Sequence, residues 1–312
     1  RATGGLTLRL ILALPGHEAF AAKLAEAAGA EVGRLETRQF PDGEHYVRIL
    51  DDPAGRQVDV VCSLARIDSL ILTLLFVAAA AREQGAKRVT LVAPYLGYMR
   101  QDKAFKAGEA VTSRAFARLI SGAFDRLITV DPHLHRFKTL SELYTIPCVT
   151  LHAADLLGAW IRSEAPNALV IGPDSESEQW ASEVAAAADA PVVVLRKERL
   201  GDRDVRITFP DLSGYGGRQP VLIDDIASSG RTLTAAAREL GIRGFPPPIC
   251  AIVHAIFGGD ALSEVAGASA RVVSTDAVPH ATNAIPLAPL IATVLREEGA
   301  ALDVELARRR AV

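Results

Sequence analysis

Cysteine is scarce. The three residues, Cys62, Cys148 and Cys250, stand far apart, each within or beside an apolar run. That odd count and wide spacing exclude a disulfide framework and offer no clustered metal ligands, so all three read as reduced core residues. An excess of one charge is also missing: 34 Lys and Arg stand against 37 Asp and Glu, a net charge of −3. No global field recruits nucleic acid or an anionic membrane, and neither is expected as a partner. Long apolar runs are absent as well. The most apolar stretch, Ser69–Ala81, has 13 residues between Asp68 and Arg82, short of the roughly 20 that a bilayer requires, and suits a buried helix. The opening residues lack the charged, apolar and small-residue order of a secretory leader. A cytoplasmic soluble enzyme is the expectation. Gly and Pro, at 24 and 17, are near average, which argues against long disordered tracts.

What is present is core material. Apolar residues make up 49% of 312, enough for two domains of about 150 residues each. Short Val-, Ile- and Leu-rich runs read as strands at Thr7–Ala13, Val58–Cys62, Arg88–Ala93, Leu127–Val130, Leu169–Ile171, Val192–Leu195, Val221–Ile223, Ile249–Val253 and Arg271–Ser274. Helical stretches separate many of them, among them Ser69–Glu83, Val111–Ser121, Ala153–Ser163, Glu176–Ala187 and Thr232–Leu240. Continuous apolar strands alternating with helices predict an α/β fold, its mainly parallel sheets covered on both faces. The seam falls near Pro147–Leu151, giving domains 1–149 and 150–312. A loose echo links the halves, because Ile128-Thr-Val-Asp131 and Val221-Leu-Ile-Asp-Asp225 each carry a strand straight into an acidic turn.

The second of these is the most informative segment. Two carboxylates, Asp224 and Asp225, follow an apolar strand at the edge where open parallel sheets bind ligands. Ser228-Ser229-Gly230-Arg231-Thr232 then opens a helix. Hydroxyls, a glycine that permits close backbone approach and a helix N-terminus make an anion site. Ionised Asp, an acceptor only, suits a sugar diol. The plainer alternative is a seryl helix cap after an acidic turn.

Further polar segments fall at strand ends or turns. Phe40-Pro-Asp42-Gly-Glu44 reads first as an acidic hairpin turn, although a ring and two carboxylates could also meet a purine. In Pro94-Tyr-Leu-Gly-Tyr-Met-Arg-Gln-Asp-Lys103, Arg100 offers a planar fork for phosphate, or else joins charge pairs on a surface loop. Asp131-Pro-His133-Leu-His135 follows a strand, and His133 could simply cap a turn. Gly172-Pro-Asp174-Ser-Glu-Ser-Glu178 supplies a hard oxygen ligand in Asp174, while Glu176 and Glu178 suit a helix N-terminus. Lys197 and Arg199 read as part of a charged hairpin, or as cations able to neutralise a transferring phosphoryl group.

The Asp224–Thr232 segment resembles the phosphoribosyl-binding loop of the phosphoribosyltransferase fold, with Ser229 in place of the usual Thr and Arg231 where a second Gly is common. From about Leu8 to Arg296, the order and spacing of all these segments resemble the ribose-phosphate diphosphokinase family, and the Ser-Glu-Ser-Glu and Leu-Gly-Asp stretches lean to its archaeal class III form. The resemblance implies two phosphoribosyltransferase-type domains and transfer of the β,γ-diphosphoryl group of Mg-ATP to C1 of ribose 5-phosphate. It implies that Phe40, Asp42 and Glu44 approach adenine across a subunit interface, hence a homo-oligomer. Arg100, Gln101 and Asp102 would contact ATP with Lys103 nearby, and His133 and Asp174 would hold Mg²⁺. Ser228, Ser229, Gly230, Arg231 and Thr232, with Asp224 and Asp225, would hold ribose 5-phosphate. Lys197 and Arg199 would stabilise the transition state. Two other functions share part of this pattern: a phosphoribosyltransferase that consumes the diphosphate product, and a non-catalytic regulatory paralogue.

Overall fold

The apolar runs fold as parallel strands covered on both faces, as continuous Val, Ile and Leu segments demand. A computed structural model describes residues 9–104, 106–134, 136–173, 177–199 and 205–297. The described chain forms two compact units: residues up to Leu151 together with those from Leu287, and His152–Pro286.

In the first unit, β1 (Arg9–Ala13), α1 (Glu18–Ala28) and β2 (Glu31–Val32) are followed by an antiparallel hairpin, β3 (Leu35–Gln39) and β4 (His45–Ile49). Then come β5 (Gln57–Val61), α2 (Ile71–Glu83), β6 (Arg88–Ala93), α3 (Thr112–Ala123), β7 (Arg126–Val130) and β8 (Cys148–Leu151). The sheet is all parallel, in the order β2-β1-β5-β6-β7-β8. Strand residues Leu10, Leu12, Val58, Val60 and Leu91 meet Leu74 and Val77 of α2 and Phe116 and Ile120 of α3. Each large side chain buried there contributes about 1.5–3 kcal/mol.

The second unit runs α4 (Ala154–Glu164), β9 (Ala168–Gly172), α5 (Glu178–Ala188), β10 (Val192–Val194), a second antiparallel hairpin of β11 (Arg196–Arg199) and β12 (Val205–Thr208), and β13 (Gln219–Ala227). It ends with α6 (Arg231–Ile242), β14 (Ile249–Ala255), α7 (Ala261–Ala268), β15 (Arg271–Thr275) and β16 (Asn283–Ile285). Its sheet is also all parallel, in the order β10-β9-β13-β14-β15-β16. Leu169, Ile171, Leu222 and Ile252 pack against Leu233, Ala236 and Leu240 of α6 and Val265 of α7.

Both sheets follow one topology, with strands in the order 2-1-3-4-5-6 and a hairpin inserted between the second and third. The faint internal echo of the sequence is thus a repeated fold. In each sheet the order reverses between the first strand and the third, where doubly wound sheets form a crevice at their carboxyl ends.

The sequence reading gave all of 150–312 to the second domain. Helix α8, residues 288–297, belongs instead to the first unit. A guanidinium of Arg9 donates to the Leu295 carbonyl (3.2 Å), and Arg296 donates to the Ala27 carbonyl (2.7 Å). Arg9 also pairs with Asp59, fully buried in β5, at 2.5 Å, and with Gln57 at 2.7 Å. No local sequence signal announces this return.

Candidate functional site

At the carboxyl end of the second sheet, β13 runs further than the sequence predicts. It continues through both aspartates to Ala227, pairing Asp224 with Ile252 and Ile226 with His254 of β14. Neighbours in an extended strand project to opposite faces, so the two half-buried carboxylates flank the strand end rather than lying side by side. Asp225 accepts from the Ile226 N–H at 2.8 Å.

The turn that follows is shaped by Gly230, which is the N-cap of α6 and left-handed (φ 64°). A glycine in the N-cap position means that neither Ser228 nor Ser229, the plainer alternative, is the cap residue of α6. A Cβ at position 230 would come within 2.5 Å of Val265 Cγ2 and 3.3 Å of the Ala261 carbonyl. Only glycine lets the turn lie this close to α7. The Gly258 N–H donates to the Ser228 carbonyl (3.1 Å), fixing the turn from behind. Arg231 is the first helical residue and is exposed, Ser229 is exposed, and Ser228 and Thr232 are half-buried.

Strand β9, the neighbour of β13 at the switch point, ends at Gly172. Asp174 and Glu176 lie outside the described residues, while Glu178 opens α5 and places an acid in its first turn. Lys197 and Arg199 fall on β11, paired with Ile207 and Val205 of β12, so the charged hairpin forms.

In the first unit the polar segments leave the adjacent strands β6 and β7. After β6, Tyr95, Leu96 and Met99 are buried and hold the chain down, leaving Arg100 and Lys103 exposed. Gly97 sits against the preceding loop so closely that a Cβ would lie 2.4 Å from the Leu64 carbonyl. Tyr98 takes a positive φ (61°), its hydroxyl bonded to Asp68 and its ring 4.7 Å from that of Phe116. Gln101 is half-buried, and its carbonyl accepts from the Ser113 N–H of α3 (3.3 Å). Asp102 is only 7% exposed, 3.4 Å from Arg136.

After β7, Asp131 has a positive φ (37°), with its N–H bonded to the Leu151 carbonyl (2.9 Å), and His133 is half-buried. Sheltered left-handed backbone at a non-glycine residue is a conformation that surrounding structure must impose. His17 follows β1, at the switch point of this sheet. His17 is 8% exposed, its ring 3.2 Å from the Pro15 carbonyl, and burial pushes its pKa down, opposed by hydrogen bonds to backbone groups at Pro15, Leu14 and Ser63.

Phe40–Glu44 is the hairpin turn between β3 and β4. The Phe40 N–H donates to the Glu44 carbonyl (2.8 Å), the Gly43 N–H to the Phe40 carbonyl (2.9 Å), and the Glu44 N–H to the Asp42 carboxylate (3.2 Å). Thr73 and His45 bond at 2.8 Å, tying β4 to α2. The Arg38 guanidinium lies over the rings of Phe40 (4.6 Å) and Tyr46 (4.2 Å), holding Phe40 exposed at the tip.

Among the described residues no three His, Cys, Asp or Glu side chains converge as a closed metal cage. Mg²⁺ needs no such cage when phosphates supply most of its oxygen ligands. Asp131 and His133, half-buried at the end of β7, are an oxygen and a nitrogen donor of the kind that fits such a phosphate-borne ion. In the sequence Asp131 marks only a strand end.

Two units of one doubly wound topology, one with a hydroxyl-glycine turn after paired aspartates, define a protein of the phosphoribosyltransferase class. The family described as the N-terminal domain of ribose phosphate pyrophosphokinase matches residues 9–123, and the phosphoribosyl transferase domain matches 139–286. A ribose-phosphate pyrophosphokinase from Methanopyrus kandleri is 36% identical over 273 residues, covering 86% of this chain and 92% of its own. Another from Methanosarcina acetivorans is 32% identical, covering 92% and 99%. The crystal structure of phosphoribosylpyrophosphate synthetase from Mycobacterium smegmatis superposes with a TM-score of 0.79 at 25% identity, covering 92% of this chain and 97% of that one. The chain belongs to the ribose-phosphate pyrophosphokinase family, ATP-dependent diphosphotransferases. Both of these sequence relatives are archaeal. No helix among the described residues is long and apolar enough to cross a membrane.

Proposed function

We propose that this chain transfers the β,γ-diphosphoryl group of ATP to the C1 hydroxyl of ribose 5-phosphate, giving 5-phosphoribosyl 1-diphosphate and AMP. The observation that carries this reading is the Ser228–Thr232 turn, opened into α6 by a left-handed Gly230, at the end of a strand flanked by Asp224 and Asp225. First-turn amides and hydroxyls receive the 5-phosphate, and the carboxylates accept hydrogen bonds from the ribose hydroxyls. The second unit is thereby the sugar side.

The first unit is the nucleotide side. Arg100 and Gln101 bind the phosphates of ATP, and His133 and Asp131 stand by them. Phe40, Asp42 and Glu44, on a hairpin tip that exposes its ring, meet the adenine of a neighbouring subunit, which makes the protein a homo-oligomer. His133 and Asp174 would hold Mg²⁺, which would neutralise phosphate charge. The C1 oxygen attacks the β-phosphorus in line, the bond from the β-phosphorus to the α,β-bridging oxygen breaks, AMP leaves, and the hydroxyl proton passes to solvent. Lys197 and Arg199 stabilise the charge of the transferring group, and orientation of the two substrates provides much of the remaining acceleration. The protein works in the cytoplasm.

Incubation with Mg-ATP and ribose 5-phosphate, followed by chromatography, tests the reading. AMP and the phosphoribosyl diphosphate accumulate in equal amounts without ADP. Formation of ADP, or no turnover in a pure folded sample, overturns it.

A further inference from the structure

We propose that Arg136 is a further triphosphate-binding residue of the nucleotide side, held in place by the buried carboxylate of Asp102. This rests on the nucleotide-side reading above.

The two residues come from different loops. Asp102 follows β6 and Arg136 follows β7, adjacent parallel strands whose carboxyl ends lie side by side. Nε of Arg136 is 3.4 Å from an oxygen of Asp102, whose side chain is 5% exposed, whereas that of Arg136 is 45% exposed. A guanidinium is a planar fork. The closest approach to the carboxylate is through Nε, and the terminal nitrogens supply the parallel donors that suit phosphate oxygens. Among the described residues no other polar partner engages Arg136, so those nitrogens are open to a ligand.

Asp102 is ill suited to the role that its motif implies. A carboxylate accepts hydrogen bonds only and repels a polyphosphate, and here it lies beneath the surface. Its other oxygen is buried and has no hydrogen-bond partner among the described residues. Its chemistry fits an anchor for a cation, and the only cation paired with it among the described residues is Arg136. Arg100 and Lys103 are exposed on the loop after β6, and His133 lies three residues before Arg136. The carboxyl ends of two neighbouring strands therefore carry Arg100, Lys103 and Arg136 with His133 beside them, and Asp102 and Asp131 as the carboxylates among them.

Calorimetric titration of Mg-ATP and of AMP into the intact protein and its variants tests the assignment. Arg136→Ala weakens Mg-ATP binding at least about tenfold while AMP affinity stays within about twofold, because the lost contact is to the outer phosphates. Asp102→Asn weakens Mg-ATP less, and adding it to Arg136→Ala brings no further loss, the signature of one residue acting through the other. The Michaelis constant for ribose 5-phosphate does not move. If Arg136→Ala binds Mg-ATP as the wild type does, or loses AMP and ATP equally, the proposal falls while the synthase reading stands. If the wild type binds no nucleotide, both fall.

Discussion

Gly230 lies against Val265 so closely that a Cβ on the glycine would come within 2.5 Å of Cγ2 of the valine. The glycine also has a positive φ. Closeness to α7 and left-handed backbone thus coincide at the residue that opens α6.

Gly230→Ala is expected to be destabilising for both reasons. The backbone term is about 1–2 kcal/mol and the overpacking term roughly 1–3 kcal/mol. Denaturant unfolding reads the sum, and the Michaelis constant for ribose 5-phosphate rises because the turn is displaced. An Ala variant as stable as wild type would contradict this packing.

Asp59→Ala strands the Arg9 guanidinium in the interior of the first unit, at a cost of about 3–5 kcal/mol. It also loosens α8, whose Leu295 carbonyl the same arginine holds. Urea unfolding measures the first effect and hydrogen exchange of residues 288–297 the second. A double replacement, Arg9→Met with Asp59→Leu, recovers most of the stability, since no charge is then left buried.

Burial pushes the Cys62 and Cys250 thiols up to about 12 and Cys148 to about 11. Thiols so placed stay protonated and do not react with Ellman's reagent at pH 8 until the protein is unfolded, when all three appear. The sign of the stability effect follows. These raised values favour the fold fully below the unfolded thiol value of about 8.5, and the contribution is lost as pH climbs toward 11–12. Unfolding free energy therefore falls between pH 9 and 11, and less steeply in a Cys62→Ala variant. A thiol reacting in the native state at the rate of free cysteine would refute the assignment.

Lys197→Ala and Arg199→Ala each lower kcat about a hundredfold, or roughly 3 kcal/mol, with Michaelis constants changed far less and stability intact. Their hairpin is paired through backbone bonds, which the substitutions leave in place. Equal losses in kcat and in substrate affinity would assign them to binding instead.

Much of this protein is decided locally. Apolar runs bounded by polar turns set where strands begin, and β6 spans Arg88–Ala93 as its sequence predicts. The Asp-Gly turn at residues 42–43 and the charged hairpin at 196–199 form because each depends on neighbours in the chain. The candidate segments after β6, β7 and β13 stand at strand ends as their sequence predicts, since turns and helix starts are short-range chemistry. Helices α1 and α7, and strand β16, were not singled out. They are short or weakly patterned and hold their shape through packing.

What the tertiary structure alone decided joins residues distant in sequence. Strand order, the repeated 2-1-3-4-5-6 topology and the return of α8 to Arg9 require loops to close over tens or hundreds of residues, and no local pattern encodes which partner wins. The same holds for Asp102 and Arg136. Sequence motifs name one for the nucleotide and pass over the other, and only folding β6 beside β7 turns a buried acid and an exposed base into a pair.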